Sequence, residues 1–197
     1  MEPTMMAFLL TMSRTTTVSA QCRPDYHGST QRVLVGVVIR NACIHDDVQE
    51  AKWKQVAEGV HAEGGTVFLQ LMHTGRIGHT SLLPDPGQLL APSAVRAEMR
   101  IADVNGVEWD AENPRAMTED EVLGVIEDFT QAAVRAVRAG LDGVELHGAN
   151  GYLLHQFLSY GTNQRTDSFG GSPHGRSEFV FQLVSRVADA VGPERVG

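Results

Sequence analysis

The sequence predicts an α/β chain in which parallel strands alternate with helical crossovers, and three observations carry that expectation. Helix-length apolar stripes recur between residues 47 and 191, short β-branched runs fall between them, and glycines punctuate the junctions. The order helix, strand, helix, strand, helix, strand start implies parallel strands joined by right-handed crossovers, in an open doubly wound sheet or a closed (β/α) barrel. Periodicity does not separate the two.

Residues 1 to 42 show no clear period apart from Val33 to Ile39, an apolar, β-branched run with the makings of one buried strand. From Asp47 the pattern becomes regular. Asp47 and Glu50 have capping-box spacing, Val48, Trp53, Val56, Ala57 and Val60 trace a helical stripe, and Gly64 can end it. Thr66 to Met72 reads as a strand with Phe68, Gln70 and Met72 on one face. The long stretch that follows carries Asn105-Gly106 between two short β-like runs, a hairpin signal.

Thr118 and Glu121 form a second capping box, and Val122, Val125, Ile126, Phe129, Ala133 and Val137 keep one apolar face until Gly140. Asp142 to His147 reads as a strand that alternates Val144 and Leu146 against Glu145 and His147. Phe179, Val180, Leu183, Val184, Val187 and Val191 form a third stripe, closed by Gly192-Pro193, after which Arg195-Val196-Gly197 begins a further strand.

Composition narrows the function classes. A formal net charge of -8 on 197 residues disfavours nucleic acid and anionic membranes as partners. Two cysteines, Cys22 and Cys43, are too few for a disulfide framework or a metal cluster and read as free thiols of a reducing, cytoplasmic compartment. No run is long and apolar enough to span a membrane. Met5 to Leu10 with Val18-Ser19-Ala20 has the outline of a cleaved leader, but Glu2 and the lack of an early Lys or Arg argue against one.

Ligands of parallel α/β folds gather at the C-terminal ends of the strands, which singles out two clusters. In the first, Gln70 is a polar residue on a strand and needs a partner, either neighbouring backbone or the donor and acceptor edge of a planar cofactor. In the second, His147 and Asn150 flank a turn from which both side chains can aim N–H groups at one oxygen, polarising a carbonyl and stabilising an enolate. Tyr152 adds a phenol able to hand over a proton. Taken singly, each of these residues is more often structural. His73, His79, His147 and His155 lack metal-site spacing, so no metal is expected. The glycines at 148 and 151 fall short of a dinucleotide fingerprint, and no helix with phosphate-facing spacing is expected directly after them. Arg165, Asp167 and Ser168 to Gly171 read as a polar loop whose Arg and Asp hold each other or the backbone.

The ordered run Phe68 to Arg76, Ala91-Pro92-Ser93, Pro114-Arg115-Ala116, Asp142 to Leu158 and Asn163 to Ser172 resembles the Old Yellow Enzyme family of flavin-dependent reductases. Leu154-His155-Gln156 is most similar to the bacterial N-ethylmaleimide reductase branch. The resemblance implies a partial TIM (β/α)8 barrel covering strands 3 to 5 over residues 43–197, preceded by an atypical segment 1–42. It also implies non-covalent FMN, reduced by NADPH or NADH, that passes hydride from N5 to an activated alkene or nitro compound. By motif position Gln70 would contact the flavin pyrimidine edge, His147 and Asn150 would grip the substrate oxygen, and Tyr152 would donate the proton. Met72 stands where many relatives have Trp, which implies a roomier, softer substrate wall. The family's phosphate-binding strands are not matched, so the resemblance implies weak or no FMN binding by this chain alone, with a catalytically inactive remnant as the alternative. An intact Rossmann-type dehydrogenase is a more distant reading, and the oligomeric state is left open.

Overall fold

The fold is described from a computed structural model for residues 43–83, 87–103 and 105–197, with the backbone also placed for 15–20. Val33 to Ile39, Cys22 and Met5 to Leu10 lie outside the described residues; Val18-Ser19-Ala20 falls in a strand, β1 (Thr15–Ala20). Helix α1 (Asp47–Ala62) leads into β2 (Thr66–Leu71), and helix α2 (Glu119–Arg138) leads into β7 (Gly143–Leu146). Between β2 and α2 lie four short strands: β3 (Leu90–Ala91), β4 (Arg100–Ala102), β5 (Glu108–Asp110) and β6 (Arg115–Ala116). After β7 come a short helix α3 (Leu153–Leu158) and the long helix α4 (Pro173–Val191).

The main sheet has the order β1-β2-β7, and both pairings are parallel, as the alternation of helix and strand requires. Val144 also forms an isolated parallel bridge with Val196, just after a single 3-10 turn at Pro193–Arg195. One face of β2 is sealed: Val67, Leu69 and Leu71 are 0%, 0% and 1% exposed and join Phe129, Leu183 and Val187 in a single core. The opposite face carries half-buried Phe68 and Gln70, the alternation expected of the strand. Gly143 lies across from Phe68, and a Cβ there would come within 2.5 Å of the Phe68 ring and of the Arg195 carbonyl, which restricts the position to glycine.

Helix α1 starts one residue earlier than its capping-box spacing suggests. Asp46 is the cap, in extended conformation, and accepts a 2.8 Å hydrogen bond from the Gln49 amide. Asp47 and Glu50 are thereby released to pair with Arg135 and Arg138 of α2. Val48 does not belong to the apolar stripe: it is 67% exposed. It lies five residues before Trp53 and so about 140° around the helix from it. Val184, 41% exposed, is likewise turned out of the α4 stripe that Phe179, Leu183 and Val187 bury.

The second capping box is present in full. Thr118 Oγ1 accepts from the Glu121 amide at 3.2 Å, and Glu121 accepts from the Thr118 amide at 2.8 Å. Arg115 also donates to the Glu121 carboxylate, and these bonds, foremost that of Arg115, hold its pKa at about 2 instead of 4.5. Because the folded value lies below the unfolded one, the bonded carboxylate stabilises the fold above about pH 4.5, and that contribution fades as pH falls toward 2. Urea melts across that window are expected to show a smaller loss of stability on acidification for Glu121→Gln than for the wild type.

The hairpin expected at Asn105-Gly106 is antiparallel β4–β5. Asp103 accepts from the Asn105 and Val107 amides at 2.8 and 2.9 Å and from the Trp109 indole at 3.1 Å. A short helix, α3, begins two residues after Gly151. Helix α3 has only six residues, less than two turns, too short for its Leu153, Leu154 and Phe157 to show a period. No helix among the described residues is long and apolar enough to cross a membrane.

Candidate active site

The register of β2 against β7 brings the two clusters together. Gln70 pairs with Glu145, Leu71 with Leu146, and the pairing continues past the strand ends through His147 N to Leu71 O (3.0 Å) and Leu153 N to His73 O (2.9 Å). Gln70 donates its side-chain amide to the Glu145 carboxylate, so its polar edge lies on the half-buried sheet face, away from the helices. Met72 follows at the strand end and is buried.

Beyond β7 the chain reverses through Asn150 and Gly151, both with positive φ, 57° and 77°. Left-handed backbone is strained for most residues and tolerated by Asn and Gly, which is why this dipeptide makes the turn. The reversal sets the Tyr152 ring 5.3 Å from that of His147 at an interplanar angle of 50°. It also leaves Asn150 Nδ2 3.5 Å from His147 Nε2. Two potential donors this close, on an exposed Asn and a half-buried His, can converge on one acceptor oxygen with the half-buried phenol beside it.

The other histidines are engaged separately. His73 is buried, accepts from the Gly75 amide at 2.9 Å through Nδ1, and is kept neutral because burial lowers its pKa to about 4. His79 pairs with Glu112 at 3.1 Å and stacks on Trp109, and His155 Nδ1 accepts from the Gly151 amide at 3.1 Å. Among the described residues no group of three or more His, Cys, Asp or Glu is placed to hold a metal ion.

The loop between α3 and α4 is fastened as its Arg and Asp suggest. Arg165, with a side chain 6% exposed, grips Asp167 and donates to the Pro92 carbonyl at 3.1 Å and to the Met117 carbonyl. Asn163 Nδ2 donates to the Phe157 and Phe169 carbonyls at 2.8 Å each. Sequence reasoning passed over Gln156. Its buried amide accepts from Arg76 N and donates to Thr74 O and Gly151 O, and the one signal was its place in the family-like Leu154-His155-Gln156 run.

Polar residues gathered at the C-terminal ends of the strands of a parallel α/β sheet lie where α/β proteins place their ligand sites. The model of the NADH:flavin oxidoreductase / NADH oxidase family matches residues 26–197, beginning inside the segment the sequence reading set apart as 1–42. The chain belongs to this family, the Old Yellow Enzyme family, whose cofactors are FMN and a nicotinamide reductant. It is 42% identical over 156 residues to chanoclavine-I aldehyde reductase of Penicillium roqueforti, covering 78% of this chain and 40% of that protein. It is 37% identical over 155 residues to 12-oxophytodienoate reductase 7 of Oryza sativa subsp. japonica, covering 78% and 39%. The solved structure of morphinone reductase in complex with tetrahydroNAD is similar with a TM-score of 0.74 and 48% identity, over 79% of this chain and 44% of that one. The chain thus spans about two fifths of the length of these curated relatives.

Proposed function

We propose that residues 43–197 form strands 3 to 5 of a (β/α)8 barrel and carry the substrate mouth of an FMN-dependent NAD(P)H ene reductase. The observation that carries this reading is the convergence of His147, Asn150 and Tyr152 on one turn, which begins two residues beyond the Gln70–Glu145 pair of β2 and β7. The residues present fit the ring end of FMN: the Gln70 amide, paired with Glu145, lies on the sheet face that the helices leave open, where it would meet the ring edge. No contact to the FMN phosphate is assigned among the described residues. When bound, FMN would supply hydride chemistry, with NADPH or NADH as its reductant.

The chain's own residues do the rest. His147 and Asn150 hold the carbonyl or nitro oxygen of an activated alkene, stabilise the charge that develops there, and orient the double bond. Tyr152 delivers a proton to the carbon next to the carbonyl, on the side opposite the hydride. Met72 forms an unbranched, adaptable wall of the pocket. At saturating FMN the chain is expected to oxidise NADPH in step with reduction of 2-cyclohexenone, followed by loss of nicotinamide absorbance and chromatography of the product. No alkene reduction at any FMN concentration would refute the reading.

A further inference from the structure

Gln156 is the most deeply buried polar side chain among the described residues, 1% exposed, and all of its hydrogen bonds go to the backbone of the two strand-end loops. Its Oε1 accepts from Arg76 N at 3.0 Å; its Nε2 donates to Thr74 O at 2.9 Å and to Gly151 O at 2.7 Å. Gly151 is gripped from its other side by His155, whose Nδ1 takes the Gly151 amide at 3.1 Å. Two neighbouring residues of α3 therefore hold both polar groups of the glycine that completes the turn.

The opposite loop is shaped to receive the same amide. Gly75 has φ of 61°, and a Cβ there would lie 2.0 Å from Gln156 Oε1, so the side chain occupies space that only a glycine leaves open. The Asn150–Gly151 turn is left-handed at both residues, a backbone that Asn and Gly tolerate, and the Gln156 and His155 bonds fix where the turn sits against the opposite loop. Release of the Gly151 carbonyl frees the peptide that leads into Tyr152 and the backbone that carries Asn150.

We propose that Gln156 is a positioning residue of the alkene-reducing site. Its amide locks the Thr74–Arg76 loop to the Asn150–Gly151 turn and so fixes the spacing between Gln70 and Met72 of the β2 end and His147, Asn150 and Tyr152 of the turn after β7. The claim rests on the function proposed above, and the test separates the two.

Gln156→Leu keeps the bulk of the side chain and removes its three hydrogen bonds. In the flavin-free chain, the nuclear Overhauser contact between the His147 and Tyr152 rings is expected to disappear in the folded variant. At saturating FMN, kcat for 2-cyclohexenone is expected to fall by about 100-fold, the effect of a displacement on the order of 1 Å, with reduction of FMN by NADPH unchanged. An intact ring contact with unaltered kcat would overturn the proposal. A wild-type chain that reduces no alkene would instead overturn the functional reading, and the ring contact would still decide the role of Gln156.

Should the leucine variant not fold, Gln156→Glu carries the test. It keeps the acceptor for Arg76 N but turns carboxylate oxygens toward Thr74 O and Gly151 O, so the ring contact should be absent at neutral pH and return on acidification, when a protonated carboxyl again donates. A pH-independent ring contact would overturn the proposal. So would global unfolding of both variants, which would make Gln156 a residue of the core.

Discussion

Tyr152→Phe is expected to slow alkene reduction by roughly 10²- to 10⁴-fold, the range for loss of a positioned proton donor, while FMN reduction by NADPH proceeds as in the wild type. The ring is retained, so its packing 5.3 Å from His147 is preserved and only the hydroxyl is lost. His147 and Asn150 are untouched, and substrate affinity should change little. Separate measurement of the two half-reactions by stopped-flow absorbance checks this. Equal loss of both would remove Tyr152 from the proton-donor role.

The largest expected effect on stability is that of Arg165→Met. The Arg165 side chain is 6% exposed and its guanidinium bonds Asp167 and the Pro92 and Met117 carbonyls, tying the loop before α4 to the residues around β3 and β6. Burial raises the pKa of Asp167, but the hydrogen bonds from Arg165 and from the Phe169 amide outweigh it and leave the net shift downward, so the aspartate is ionised and needs its partner. Removing one member of such a pair strands a charge and two carbonyls, at a cost of about 3 kcal/mol. Urea denaturation should show a lower midpoint with an unchanged m-value. The double variant Arg165→Met, Asp167→Asn should recover part of the loss, because the stranded charge is gone.

Much of this molecule is legible in its sequence because local chemistry and tertiary demand agree. Thr118 and Glu121 form their capping box, Asn105-Gly106 makes its hairpin, and the alternation in Thr66–Leu71 sorts buried from half-buried side chains. The turn at Asn150-Gly151 was legible for the same reason: a dipeptide that tolerates positive φ stands at the end of a strand.

What stayed hidden depends on geometry that no spacing rule carries. Asp46 and Asp47 are chemically equivalent caps, and only the backbone conformation at Asp46 selects the first. Val48 and Val184 are apolar in suitable windows, but a rotation of about 140° from Trp53 and Phe179 takes each off its stripe. Gln156 is the clearest case. Its partners Thr74 and Arg76 are distant in sequence, and nothing local marks a glutamine of a six-residue helix as a clamp between two loops.

The central claim is that the turn after β7 grips the oxygen of an activated alkene. Nuclear magnetic resonance of carbonyl-labelled carbon-13 2-cyclohexenone, titrated with the FMN-loaded chain, tests it most directly. The account predicts a downfield shift of the carbonyl carbon, reporting polarisation by His147 and Asn150, that is abolished in His147→Ala and reduced in Asn150→Ala. A carbonyl resonance that does not move, or that moves equally in both variants, would contradict it.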